Sequence, residues 1–245
     1  MIPKIIHYCW LSGDPVPQNL QDYMATWKAK LPDYEFILWD RNRFDLHSSE
    51  WVRQAFEARK YAFAADYIRL YAVYHYGGIY MDMDIEVVKP FDELLDSPYF
   101  FGYEKEDGIE AGIFGAEKHH PLLKQCLDYY HDRNFIDAQG RMRITPLPEI
   151  MYSLLSADHR FQKRTSLKLA DDPQTVYLFP NDYFTAKSYT TGKVTRTRNT
   201  YTVHHFAGSW VSKSSKLKKN IYQFIRNNPL LFWVYNRSYK KIKKE

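Results

Sequence analysis

Residues 61–90, YAFAADYIRLYAVYHYGGIYMDMDIEVVKP, decide how the rest of the chain is read. A helix is predicted over 54–76, because Phe56, Phe63, Tyr67, Leu70, Tyr71 and Tyr74 recur at helical spacing on one side. Gly77-Gly78 should end it, since glycine accepts the left-handed conformation common just past a helix end. An apolar strand is predicted over 79–88, stopped by Pro90. In a strand the side chains alternate, so Ile79, Met81, Met83 and Ile85 share one face and Tyr80, Asp82, Asp84 and Glu86 the other. Asp82 and Asp84 then stand roughly 7 Å apart along one face. Two ionised carboxylates in a half-buried place need either a proton or a cation. Oxygen ligands suit Mg²⁺ or Mn²⁺, which keep open positions for phosphate oxygens. The pair therefore suggests a divalent ion carrying a diphosphate. The plainer reading is a frayed strand end with both aspartates in water.

Working outward, the periodic pattern gives alternating strands and helices. IPKIIHYCWL is a short buried first strand, SGDPVP a loop, and 19–30 a helix with Leu20, Tyr23, Met24 and Trp27 on one face. YEFILWD is a second strand, and Ser48 or Ser49 caps a helix starting near Glu50. YFFGYE and AGIFGAE are further strands, 121–131 is helical, ITPLPEIMYSLLSA runs from loop into helix, and VYLFP and YTVHHFAG are late strands. This alternation argues for an α/β fold. No internal repeat or linker stands out before about residue 212. The organisation expected is a single α/β domain over 1–211 and a tail over 212–245.

The chain has 245 residues, 45% of them apolar and 26% charged, which is globular composition with ample length for a core. Its two cysteines, Cys9 and Cys126, form no CxxC and imply no disulfide framework. The opening MIPKIIHYCWLSGDP lacks the basic and long apolar regions of a secretory signal, and no window approaches about 18 apolar residues. A cytoplasmic protein is expected. Of the 34 Lys and Arg, ten lie from Ser212 onward against one acid, Glu245, so the net +5 belongs to the tail and the body is mildly acidic. A nucleic-acid partner is not expected from that distribution. The tail SKLKKNIYQFIRNNPLLFWVYNRSYKKIKKE mixes basic and apolar residues, a composition that suits either an anionic membrane surface, at the cytoplasmic face, or a docked helix with its charges outward.

DYIRLYAVYHYGGIYMDMD resembles the signature of the DXD-containing sugar transferases grouped with the yeast initiating α-1,6-mannosyltransferase and the bacterial capsular polysaccharide transferases. The glucosylating clostridial toxins are more distant. IPKIIHYCWLSG resembles their N-terminal strand and HHFAGSW their C-terminal motif, so the three blocks bracket most of the body. The resemblance implies a GT-A fold, a Rossmann-like single domain with a mixed central sheet. It implies Mn²⁺ (or Mg²⁺) and a nucleotide-diphosphate sugar donor, a UDP-hexose being favoured by analogy. Sugar transfer with retention to a glycan or lipid-linked glycan acceptor, as in polysaccharide biosynthesis, follows from the same likeness.

By that resemblance Trp10 stacks on the base, although a core tryptophan is the plainer reading. Ala65 and Asp66 line the sugar pocket, and Arg69 reaches the sugar or diphosphate. Asp66 and Arg69 share a helix face as i and i+3, which also fits an ordinary ion pair. Tyr80 packs beside the nucleotide. Asp82 contacts the ribose and the metal, and Asp84 binds the metal. His204 or His205 completes the metal shell; they alternate on their strand, so only one can point there, and His204 is preferred. Ser209 and Trp210 hold the diphosphate. Glu104 or Asp182 orients the acceptor, unless each is a solvated loop acid. Ala111-Gly112 stands where the family often has an asparagine, and Thr145-Pro146 where it often has Gly-Pro. Both differences bear on the donor and acceptor pockets. Two other classes fit a bare DXD: a HAD-like phosphatase or phosphotransferase, whose motif normally continues to a threonine absent from DMDIE, and a carbohydrate-binding scaffold on the same fold.

Overall fold

The computed structural model describes residues 1–105, 108–169, 172–208, 213–228 and 231–232. In chain order the elements are β1 (Ile5–Cys9), α1 (Gln18–Lys30), β2 (Glu35–Trp39), α2 (Glu50–Glu57), α3 (Tyr61–Tyr76), β3 (Gly78–Met81), β4 (Ile85–Val87), β5 (Tyr99–Lys105), β6 (Gly108–Ile109) and β7 (Ile113–Ala116). There follow α4 (Pro121–Asp128), α5 (Leu147–Asp158), β8 (Arg160–Lys163), β9 (Thr175–Phe179), α6 (Asn181–Phe184), β10 (Thr202–His204) and α7 (Lys213–Asn227).

The main sheet has the order β2-β1-β3-β7-β5-β9-β8, with β6 paired to β5. It is mixed: β1 runs parallel to β2 and β3, β9 runs parallel to β5 and β8, and β7 is antiparallel to both β3 and β5. The α/β architecture with a mixed central sheet is thus the one expected. A separate antiparallel pair joins β4 to β10.

Side-chain alternation along the strands divides the core in two. Tyr80, Phe101, Phe114 and Leu178 pack with α2 to α5 on one face. Ile6, Ile79, Met81, Phe100 and Phe179 pack on the other, where α1 contributes Leu20 and Trp27.

The helix predicted over 54–76 is two helices. Ser49 caps α2 by accepting the Val52 N–H, and α2 closes with Lys60 N–H bonded to Ala55 O and Arg59 N–H to Phe56 O. Arg59 takes the left-handed conformation, φ 56°. This is the double hydrogen bond of a Schellman end with arginine in the place glycine usually fills, which is why the residue pattern ran through it. Trp51 then donates to Phe63 O at 2.9 Å, locking the two helices together.

Gly77 ends α3 with φ 70° and Gly78 follows at φ 104°. A Cβ on Gly78 would sit 2.6 Å from Ile5 O, so glycine is what lets β3 lie against β1. The buried His7 seals this junction: its Nε2 donates to Gly77 O at 2.8 Å and its Nδ1 accepts from the Trp39 indole at 3.1 Å.

Candidate active site

The segment predicted as one strand over 79–88 is two, and the aspartates are the reason it breaks. β3 ends at Met81, and Asp82 makes a last ladder bond, its N–H to Gly112 O at 2.7 Å. The chain then turns, with Ile85 N–H bonded to Asp82 O at 3.0 Å, and leaves the main sheet as β4 to pair with β10. Two carboxylates cannot continue a strand buried on both faces without partners, whereas aspartate readily supports a turn. The apolar partition survives the turn: Ile79, Met81, Met83 and Ile85 all lie in one core. Trp27 of α1 holds the new direction by donating to Ile85 O at 2.6 Å, and Thr26 accepts the Val87 N–H at 2.9 Å. Asp82 and Asp84 therefore project from the end of β3 beside the β4–β10 pair.

Pairing β4 with β10 sets Ile85 opposite His204 and brings His204 to Asp84. One ligand atom each from Asp82, Asp84 and His204 fall within 4.8 Å of one another. The His204 Nε2 is 3.5 Å from Asp84 Oδ1, and its Nδ1 is 3.2 Å from both carboxylate oxygens of Glu110. Burial would discharge His204, but Glu110 and Asp84 outweigh it and raise its pKa well above the ordinary value. Burial likewise works against ionised Asp84, yet the His204 charge and hydrogen bond and the Ala207 N–H bring it down to about 2. Ala207 donates to Asp84 Oδ2 at 2.6 Å, and His205 N–H to Asp84 O at 3.0 Å, so the 205–207 segment wraps the second aspartate. Asp82 is different: burial is the main influence and raises its pKa, with Arg69 opposing and the Asp84 charge adding to the rise.

Glu110 went unnoticed in the sequence. It is 1% exposed and accepts from Gly112 N–H at 2.6 Å and from the Thr185 hydroxyl at 2.7 Å besides facing His204. These partners and the His204 charge overcome burial and keep its pKa low. An ionised carboxylate only accepts, so Nδ1 of His204 carries its proton and Nε2 is the atom aimed at the aspartates. Gly112 has a matching reason: a Cβ there would stand 2.7 Å from His204 Cε1 and 2.8 Å from Glu110 Oε1. A lone acid among small and apolar residues, in GIEAGIF, was the available clue. Lys187 was missed too. Its Nζ donates to His205 O at 3.0 Å, and although burial lowers its pKa, the Asp84 charge acts in the opposite sense.

Arg69 and Asp66, expected to meet the donor, are mainly engaged within the protein. Arg69 is 7% exposed; it donates to Ala111 O at 2.6 Å and reaches Asp82 Oδ2 at 3.4 Å and Asp66 Oδ1 at 3.2 Å. Its guanidinium lies 4.6 Å from the Tyr80 ring centroid. It acts on the site by holding Asp82. Burial raises Asp66 to about 6, against Arg69 and a hydrogen bond from the Leu147 N–H at the start of α5. Tyr80, expected beside a nucleotide, is turned into the core. It is 1% exposed, stacks on Phe114, and reaches the site only by donating its hydroxyl to Asp82 Oδ1 at 2.7 Å.

His205, the alternative to His204, faces elsewhere. It stacks on Tyr23 at 4.1 Å and pairs its Nε2 with Glu86 at 2.9 Å, so strand alternation turns it away from the Asp82–Asp84 pair. Ala65 is buried on α3 and its carbonyl accepts from Arg69. Trp10 follows β1, half-buried, with its indole N–H donated to Asp14 O at 2.7 Å. Asp182 ties down the 197–200 loop, accepting from the Thr197 hydroxyl at 2.8 Å. Glu104 lies on β5, and its carbonyl accepts from Asn181. Ser209 and Trp210 lie outside the described residues.

Residues 17–101 match the family described as the glycosyltransferase sugar-binding region containing a DXD motif. The chain is 31% identical over 130 residues to inositol phosphoceramide mannosyltransferase 3 of Schizosaccharomyces pombe, covering 51% of this chain and 36% of that protein. It is 32% identical over 131 residues to mannosyl phosphorylinositol ceramide synthase SUR1 of Saccharomyces cerevisiae, covering 52% of this chain and 34% of that protein. The chain thus spans about a third of the length of these relatives. Among solved structures, PaToxG glycosyltransferase is 18% identical, with 64% of this chain and 68% of that chain aligned and a TM-score of 0.49. The likeness to the DXD-containing sugar-binding region of glycosyltransferases thus runs from the start of α1 into β5.

Proposed function

We propose that the chain is a metal-dependent glycosyltransferase that takes a hexose from a nucleotide-diphosphate sugar and gives it to a glycan or lipid-linked glycan acceptor. The observation that carries this reading is the convergence of Asp82, Asp84 and His204 at the end of β3. The donor set fits a divalent cation: two carboxylate oxygens and an imidazole nitrogen suit Mn²⁺ better than the all-oxygen preference of Mg²⁺. When bound, such an ion would supply positive charge against which the nucleoside diphosphate departs as the bond from the sugar C1 to its β-phosphate oxygen breaks. Arg69 and Tyr80 hold Asp82 in place, and Ala207 and His204 hold Asp84, so little reorganisation is left for the moment of reaction. Lys187 adds an ammonium group near the same acids. Transfer with retention, by attack of the acceptor hydroxyl on the face the nucleoside diphosphate leaves, is the stereochemistry that goes with the resemblance. The relatives named above are mannosyltransferases, so mannose joins the hexoses to be tried first.

A panel of uridine- and guanosine-diphosphate hexoses, incubated with Mn²⁺ or Mg²⁺, tests the reading through donor hydrolysis. One donor should be hydrolysed with metal, stop with chelator, and fail with Asp84→Asn. Hydrolysis that persists in Asp84→Asn, or a panel on which nothing turns over while Mn²⁺ fails to bind, would overturn it.

A further inference from the structure

Helix α7 presents an apolar stripe that stands open among the described residues. Leu217, Ile221 and Phe224 recur at i, i+4 and i+7 and are 61%, 51% and 68% exposed. A different face of the same helix is anchored: Gln223 donates to Tyr189 O and Asn227 to Thr191 O, both at 2.8 Å. The stripe is therefore held outward by polar clasps on the 186–195 loop. The helix sequence contains Lys213, Lys216, Lys218, Lys219 and Arg226 and no acid. Two such helices placed stripe to stripe would set like charges together. Anionic headgroups would instead neutralise them while the apolar side chains enter the acyl boundary. No helix among the described residues is long and apolar enough to cross a membrane.

The helix, through its clasped face, is also joined to the candidate active site. Tyr189, 59% exposed and clasped by α7, packs edge-on to Phe206 at 5.3 Å, and Phe206 stacks on His204 at 4.1 Å. Only two aromatic rings separate the helix from the cluster.

We infer that the Leu217–Ile221–Phe224 stripe of α7 docks this protein on an anionic lipid bilayer and so presents the Asp82–Asp84–His204 site to an acceptor anchored in it. The second half rests on the function proposed above; the first does not, because docking needs no donor. Flotation of the full chain with vesicles, in the absence of nucleotide sugar, tests the docking alone. The protein should float with phosphatidylcholine–phosphatidylglycerol vesicles, stay behind with phosphatidylcholine alone, and release as salt rises. The variant Leu217→Ser/Ile221→Ser/Phe224→Ser removes only exposed side chains, so its unfolding transition should match the parent. Its bound fraction should fall by roughly tenfold or more. Equal flotation of parent and variant would overturn the inference. So would failure of the parent to float, including the case in which the stripe variant instead splits a dimer seen by sedimentation. Absence of donor hydrolysis beside normal flotation would remove the function and leave the docking standing.

Discussion

Replacing Glu110 by glutamine should weaken Mn²⁺ binding without touching a metal ligand. Glu110 Oε1 accepts the Gly112 N–H at 2.6 Å, and Oε2 accepts the Thr185 hydroxyl at 2.7 Å. The Gly112 N–H cannot rotate, so the amide oxygen of a glutamine must take that place. The amide NH₂ then faces Thr185 and His204. The threonine hydroxyl can turn and accept, but His204 Nδ1, 3.2 Å from both oxygens in the parent, then meets one acceptor shared with Gly112 and one N–H in place of a full carboxylate. The neutral amide holds the proton on Nδ1 less firmly, so the tautomer protonated on Nε2, whose lone pair is closed to the ion, gains population. Disturbing the partner that fixes a histidine ligand typically costs 10–100-fold in metal affinity, or about 1.4–2.7 kcal/mol. Calorimetric titration with Mn²⁺ reads this directly, and urea unfolding of the metal-free protein shows that the fold is kept. An affinity within about threefold of the parent, in a variant that unfolds normally, would refute the tautomer argument.

Arg69→Met should destabilise by about 3–5 kcal/mol, because it leaves the buried Asp66 and the half-buried Asp82 without their counter-charge. The loss should shrink as pH falls and the carboxylates protonate; urea midpoints at pH 8 and pH 5 check both parts, and equal losses would count against the pairing. Stability of the parent should also depend on His7 and His120, which burial lowers to about 4 from 6.5. As pH drops below about 6.5 the unfolded chain binds protons that the folded one refuses, so stability falls toward pH 4, by up to roughly 3 kcal/mol per histidine. Protonation of Asp66 near 6 acts in the opposite sense over the same window, so the test is a comparison: a His7→Gln variant whose stability keeps the parent's pH slope would contradict the neutral His7 drawn between Trp39 and Gly77.

Much of this could be read in the sequence because the interactions concerned are local. Apolar spacing placed α1, α3 and most strands, and Gly77-Gly78 marked the end of α3, since helix caps and strand alternation act within a few residues. The break between α2 and α3 escaped because an arginine took the left-handed position, and nothing in its chemistry announces that. The DXD turn escaped in the same way: residues 79–88 alternate like a strand, and only the β4–β10 pairing reveals that the chain changes sheets.

The sequence by itself determined that two acids follow an apolar strand, that a histidine pair sits about 120 residues on, and that the charge gathers at the tail. These are properties of composition and spacing. Which histidine faces the acids, that Glu110 stands behind it, and that Arg69 and Tyr80 are spent on Asp82 were decided by the tertiary structure alone. Each depends on groups far apart in the chain, 94 residues for Glu110 and His204. A buried charge takes its partner from whatever the packed strands bring within reach, and no local pattern encodes that distance.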